Sequence, residues 1–407
     1  MITGMGVVAP NGIGIENFWD SLVHGRSGIR RITHFDASSY PCQVAGEVSD
    51  FDPTDYMDRK TAKRLARFAQ FALAASKMAV DDSRLDLHSI DPNRVGVIIG
   101  TGIGGGDCSE NQYNVFIEKG LKRISPLTAV MICTHSAAGI ISCEFGIKGP
   151  NTTIAAGCTS GLDAFYSAYN TIKLGDADIM LAGAGEAPIT PYIVAVFCAC
   201  GLLSKNNNNP KKTVKPYDVD GDGTVLGEGG AILVLEDLQN ALKRKAKIYG
   251  EILGYASGNE AYNIFHIDPT GDVAAGVMKK SLGNAHLKPE DIDYINAHGN
   301  GSPEYDLNET IAIKKVFREL AYRIPVTSIK PVTGQSFSVT GVLQIIASLL
   351  AINKNIIPPT INHINPQPNC DLDYVPNQYK RSEVNNVLIN SFGYGGGHTV
   401  VIISKFK

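Results

Sequence analysis

Cys158 is the residue in this 407-residue chain whose setting most plainly invites chemistry. It lies in NTTIAAGCTSGLDAFYSAY (residues 151–169), at the joint between a strand-forming segment and a helix. Thr152, Thr153 and Ile154 suit a strand, while Leu162, Phe165, Tyr166, Tyr169 and Ile172 recur at the three- and four-residue spacing of a buried helix face. A thiol at a helix N-terminus meets free backbone N–H groups and the positive end of the macrodipole, which stabilise a thiolate and can hold an oxyanion. Ala155, Ala156, Gly157, Ser160 and Gly161 leave a substrate room to approach the sulfur. Buried cysteines are also common and usually inert, so other residues must decide the matter. His298 follows an apolar strand in INAHGNGSP (residues 295–303), and a Gly-rich turn, NSFGYGGGH (residues 390–398), precedes the final strand.

Elements able to position these groups are legible as short apolar runs at 95–99, 179–182, 231–235, 252–255, 292–296, 387–389 and 400–403. Amphipathic helical stretches, such as 59–81 and 272–284, separate several of them. That alternation predicts mixed or parallel sheets covered by helices. A boundary near 245–250 divides the chain into 1–248, which carries the cysteine, and 249–407, which carries the histidine and the Gly-rich turn. Loops at 206–210, 218–223 and 362–368 are expected to shape a surface or a pocket.

Composition narrows the class. A 44% hydrophobic chain with 42 glycines fits a large globular α/β enzyme rather than a disordered protein. A net charge of −3 argues for neither nucleic acid nor a membrane surface as partner. No signal peptide and no apolar run of spanning length are apparent, so a cytoplasmic location is expected. The eight cysteines are scattered, mostly among apolar or glycine-rich neighbours, which favours reduced thiols. Cys198 and Cys200 have no second pair at zinc-finger spacing, and no metal site is expected.

Taken with GEGG (227–230) and SIK (328–330), these motifs resemble the β-ketoacyl-[acyl-carrier-protein] synthases of the thiolase superfamily over essentially the whole chain. GCTSGLDA, AGAGEAPITP (182–191), Asp306–Glu309 with Thr310, and DLDYVP (371–376) are most similar to ketosynthase subunits of bacterial type II polyketide synthases, with fatty-acid elongation enzymes second. The resemblance implies a five-layered αβαβα thiolase-like fold of two similar halves, in a dimer whose partner helps to wall the acyl pocket. The chain starts closer to its Thr-Gly pair than relatives do, which predicts a shortened first strand or a misplaced start.

The resemblance also implies roles. Cys158 accepts an acyl group, and the backbone N–H groups of Cys158 and Tyr394 form the oxyanion hole. His298 is one hydrogen-bond donor to the enolate formed by decarboxylating malonyl-acyl carrier protein. Where relatives place a second histidine, in K-x-x-x-G-H, this chain reads KPVTGQ, so Gln335 takes that position. A glutamine amide can donate a hydrogen bond but carries no charge and is no acid or base. Lys330, Glu309 and Asp306 match residues that orient the site, while a further glutamate is replaced by Gln344. Thr224 stands where the family has phenylalanine after Asp-Gly, and Ala261-Tyr262-Asn263-Ile264 replaces A-Y-H-M. Asn300 and Ser302 match phosphopantetheine contacts, Phe392 and Tyr394 the aromatic gate. Cys108, in the Gly-rich loop after Ile99, is expected to serve plain packing rather than to approach the chain-length pocket near the dimer interface. No bound cofactor is implied, since the substrates ride on the phosphopantetheine of acyl carrier protein.

Two motifs are set aside. GTGIGG (100–105) imitates a dinucleotide fingerprint, but 106–111 reads as a poor helix start. Asp218, Asp220 and Asp222 imitate a calcium loop that has Gly229 at its twelfth position. Arg59, Lys60, Lys63, Arg64 and Arg67, extended by Lys205, Lys211 and Lys212, match the region where the family docks acidic carrier proteins. Two functions therefore stand: a decarboxylating condensing enzyme, as a homodimer or beside a ketosynthase-like subunit, or a chain-length-factor-like partner with little activity of its own. A thiolase acting on coenzyme A thioesters is disfavoured, because the Gly-rich turn carries no second cysteine.

Overall fold

The computed structural model describes residues 1–407, the side chain of His88 aside. Two sheets dominate. The first runs in spatial order Gly12–Ile13, Ile2–Ala9, Gly229–Glu236, Ile179–Glu186, Val95–Gly100, Asn151–Ile154. Its last two pairings are parallel and the others antiparallel. The second runs Val326–Thr327, Tyr294–Asn296, Asn386–Phe392, Gly397–Ser404, Glu251–Asn259, parallel across its first three strands and antiparallel after. Continuous Val, Ile, Leu and Ala runs form these strands because both faces are covered.

Helices make the remaining three layers of an αβαβα sandwich. Arg67–Ser83 packs on the outer face of the first sheet, Asp272–Asn284 and Pro303–Phe317 lie on the far side of the second, and Ser160–Lys173 and Ser338–Lys354 fill the space between. The central pair crosses closely: a Cβ on Gly161 would fall 2.1 Å from the Ser338 carbonyl oxygen. Ser338–Lys354 is buried from Ser338 through Ile352, as an all-round apolar helix must be. The site is built at the N-terminal ends of these two helices.

Two sequence expectations need correction. The stretch 59–81 is not one helix: Arg59–Ala62 ends early, and Arg67–Ser83 starts afresh from Ala66 in extended conformation. Arg67 is thereby turned inward. Residues 106–111 do open a helix, Gly106–Lys119, which also takes Cys108 out of the loop and buries it against the outer core. GTGIGG is occupied nonetheless. The Gly102 N–H and the Thr101 hydroxyl, the latter at 2.7 Å, both donate to the buried Glu186 carboxylate, which fills the place a pyrophosphate would need.

Candidate active site

Cys158 sits in a 3₁₀ turn, Gly157–Thr159, immediately before the helix Ser160–Lys173. Gly157 adopts φ +66°, a left-handed conformation that glycine tolerates without strain. The turn is pinned on both sides. Ser160 Oγ accepts from the Ala156 N–H at 2.7 Å and donates to the Gly157 carbonyl at 2.7 Å. From the other half of the chain, Ser391 Oγ donates to the Cys158 carbonyl at 3.2 Å. Asp163, which takes the Thr159 hydroxyl, also accepts from Tyr255 and Thr399, each at 2.9 Å.

His298, Gln335, Tyr394, Asn300, Ser302 and Thr224 line one small cavity with Cys158, of about 50 Å³. The Gln335 amide and the Tyr394 backbone N–H are both placed to favour the Cys158 thiolate, as is the charge of Lys330. Burial outweighs them and pushes the thiol up. Burial thus works against the thiolate that helix position alone favours, because a site with Cys158 only 8% exposed desolvates the anion.

His298 follows the short strand Tyr294–Asn296 and is 2% exposed. Burial holds its imidazole well below the usual histidine range, with the Lys330 and His398 charges adding to the effect. The Phe392 N–H donates to Nδ1 at 3.1 Å. In a neutral ring that contact leaves the proton on Nε2, so the histidine offers a donor. Phe392 itself is 1% exposed and stacks on the His298 ring, centroids 5.3 Å apart, so it orients the histidine as well as lining the cavity.

Beneath the histidine, Lys330 Nζ donates to the His298 carbonyl and lies 3.4 Å from Nδ1. Burial lowers this lysine to about 8, against the opposing pull of Glu309, Cys158 and Asp306. Glu309 grips the backbone rather than the ring, accepting from the His298 and Gly299 N–H groups at 2.8 and 2.9 Å and from Tyr217 and Asn390. Asp306 accepts from the N–H groups of Asn300 and Tyr217 at 3.0 and 2.8 Å, and burial raises it to about 7. These carboxylates fix the INAHGNGSP loop.

Gln335 follows Gly334 (φ +73°) and is 5% exposed. Its backbone bridges to Val225 and Gly227, while its Oε1 and the Thr224 hydroxyl have no partner. Unpaired buried polar atoms lining a cavity are groups a bound substrate would satisfy. Gln344 is no part of this lining. Its Nε2 faces the carbonyl oxygens of Asn296, Ala297 and Asn390 at 2.8 to 3.1 Å, a setting that suits an amide and would repel a carboxylate.

Sequence reasoning missed several groups. Glu186, raised by burial to about 7, lies under the Gly102 turn and acts on Cys158 through its charge; its one signal was a lone acid closing an apolar strand. Tyr305 and Phe337 line the cavity without any sequence cue. His398 and Glu260, each 1% exposed at the side chain, pair at 2.7 Å behind the Gly-rich turn. The basic cluster is only partly available. Arg59, Lys60, Lys63 and Arg64 are exposed, but Arg67 is a correction: it binds Glu228 through two nitrogens, at 2.7 and 3.0 Å, and donates to the Val48 carbonyl. Asp218 and Asp222 cap backbone N–H groups of neighbouring loops, and among the described residues no cluster could hold a metal ion.

Comparison with known proteins widens the argument from the cavity to the whole chain. The family model "Beta-ketoacyl synthase, N-terminal domain" matches residues 1–241, and "Beta-ketoacyl synthase, C-terminal domain" matches 249–363. The chain is 42% identical over 407 residues to the 3-oxoacyl-[acyl-carrier-protein] synthase 2 of Synechocystis sp., covering 100% of this chain and 98% of that protein. It is 38% identical to the Staphylococcus aureus protein of the same name, with the same coverage. Among solved structures it superposes with a TM-score of 0.93 on a ketosynthase complex with its type II polyketide acyl-carrier protein (34% identity, 100% and 98% covered). The TM-score is also 0.93 with the ishigamide ketosynthase/chain length factor (32% identity, 100% and 98% covered). Similarity that runs from end to end, through both halves and across the cavity between them, makes this chain a member of the β-ketoacyl synthase family.

Proposed function

We propose that this chain is a condensing enzyme that carries out decarboxylative Claisen condensation on acyl-carrier-protein substrates. The observation that carries the reading is the meeting of Cys158, His298, Gln335 and the Tyr394 N–H in one cavity. In the first half-reaction Cys158 Sγ attacks the thioester carbonyl. The oxyanion is held by the Cys158 and Tyr394 N–H groups, the pantetheine sulfur leaves, and it takes the thiol proton. In the second, the malonyl C–C bond breaks and carbon dioxide leaves. The electron pair becomes an enolate whose oxygen receives hydrogen bonds from His298 Nε2 and the Gln335 amide, and its carbon attacks the acyl-cysteine and expels the Cys158 thiolate. These steps require no redox cofactor or metal. Asn300 and Ser302 would meet the phosphopantetheine arm at the cavity mouth.

The two halves, 1–248 and 249–407, contribute in turn: the first supplies the nucleophile, the second the enolate donors and oxyanion turn. Acyl carrier protein is the proposed macromolecular substrate, docking on the exposed Arg59, Lys60, Lys63 and Arg64, with Lys205, Lys211 and Lys212 also exposed. A second ketosynthase-like chain, identical or not, would cover the open strand edge Asn151–Ile154 and the exposed Tyr113, Ile117 and Val130, an edge and apolar surface of the kind interfaces bury. No described helix is long and apolar enough to cross a membrane.

Intact-protein mass spectrometry tests the first step. An acyl adduct from acyl carrier protein is expected on the parent and absent from Cys158→Ala; no adduct from any donor, with or without a partner subunit, would sink the enzyme reading. A specific observation favours the alternative, a chain-length-factor-like partner: Gln335 stands where the resemblance implies a second imidazole, and its amide oxygen is unpaired. A parent that is acylated but never condenses malonyl groups would establish that alternative.

A further inference from the structure

An aromatic pair forms part of the cavity wall that Cys158 shares. Phe337 and Phe197 both line it, with ring centroids 5.1 Å apart and planes inclined at 54°. Phe337 is 7% exposed and sits at φ 42°, ψ −115°, a conformation that side chains with a Cβ rarely adopt. Such strain persists only where the surroundings over-determine it, and here they do. On one side Ser338 Oγ donates to Glu186 at 2.9 Å; on the other the Ser336 N–H donates to Thr340 Oγ1 at 2.8 Å. The Ser338 carbonyl is wedged against Gly161 of the nucleophile helix. Val194, Leu203 and Val225 share the apolar cluster of Phe337 and Cys158, and Ile103 and Ile193 pack against it.

A chain growing from Sγ therefore meets a ring whose backbone cannot swing freely, in a cavity of about 50 Å³ that holds only a few water molecules. Flexible aliphatic side chains could yield by rotamer changes; a ring fixed by a strained, doubly anchored backbone yields much less. We propose that Phe337, backed by Phe197, is a chain-length stop, so that Cys158 carries short acyl groups such as acetyl and excludes octanoyl and longer chains. This specificity rests on the reading of Cys158 as acyl acceptor.

The test is competitive labelling of the full-length protein, with any partner subunit present, by equal concentrations of acetyl- and octanoyl-carrier protein, read by intact mass. The parent should favour acetyl on the order of tenfold or more, and Phe337→Leu should raise the octanoyl-to-acetyl ratio by about tenfold. Phe197→Ala, which leaves the strained backbone untouched, should raise it in the same direction and guards against misfolding of the first variant. Equal octanoyl and acetyl labelling of the parent, or a ratio unmoved in both variants, overturns the stop while leaving Cys158 as acyl acceptor. Absence of every adduct overturns the underlying acyl-enzyme reading and the stop with it.

Discussion

The two walls of the cavity are built from different materials. On the acyl side the proposed oxyanion donors are backbone N–H groups of Cys158 and Tyr394, the Cys158 turn being pinned by Ser160, Ser391 and Asp163. On the enolate side the proposed donors are two side chains, His298 and Gln335, the second standing where the family resemblance implies an imidazole. Backbone donors survive side-chain replacement, whereas a side-chain donor is changed by one substitution. If those roles hold, acyl transfer and condensation are separable by mutation, and Gln335 falls on the condensing side.

The sharpest way to break this comparison is His298→Ala. It should lower single-turnover condensation by about 100- to 1,000-fold, the usual loss for one preorganised donor, while Cys158 still acylates. Equal losses in both steps would merge the two walls into one. Gln335→Ala should act in the same direction but more weakly, by about tenfold, because an amide N–H is a weaker donor than an imidazole N–H. Unchanged condensation in that variant would remove Gln335 from the proposed chemistry.

Docking comes next. Reversing the charge of Lys60, Lys63 and Arg64 should slow carrier-protein association by about fivefold at low salt, and less as salt is added. Stopped-flow binding at two ionic strengths checks this, and a salt-independent rate would mean these cations are merely solvated. Arg67→Ala should register in thermal unfolding instead, at a cost of about 2 kcal/mol, since it strands the Glu228 carboxylate, 1% exposed.

The smallest effect concerns Glu186. All three of its donors converge on Oε1, and Oε2 is unpartnered, so Glu186→Gln keeps the hydrogen bonds and removes the charge. Because this acid is raised to about 7, its carboxylate charges as pH climbs through neutrality and pushes the Cys158 thiol further up. The variant should alkylate with iodoacetamide on the order of threefold faster at pH 8, with the difference fading below pH 6, where Glu186 is protonated in the parent. An identical pH profile in the two proteins would show that Glu186 is too far from the sulfur to matter.

Much of the frame was legible in the chain. Apolar runs of strand length located most of the long strands, though not Ile2–Ala9, because a sheet covered on both faces demands continuous Val, Ile and Leu. The nucleophile turn was legible for a similar reason: a strand, small residues and a helix periodicity meeting at Cys158 are local properties. The NAHG and GYGGGH segments identified the other two parts of the site through their motifs. The break between Ala62 and Arg67 was hidden, because helix periodicity continues through it while the extended Ala66 and the buried Glu228 carboxylate interrupt it.

By itself the sequence singled out the residues proposed to carry the chemistry and the family pattern they follow, with an amide where the resemblance implies an imidazole. Only the tertiary structure decided their state. Burial, a property of the packed sandwich, pushes the Cys158 thiol up where helix position alone argues for a thiolate, and a backbone N–H ninety-four residues away fixes the His298 tautomer. Glu186, Phe337 and Phe197 became parts of the site only when the two central helices and the first sheet were brought together. Charge and chain-length limits depend on distances through space, and those distances are set by how the helices and sheets pack, not by the order of residues along the chain.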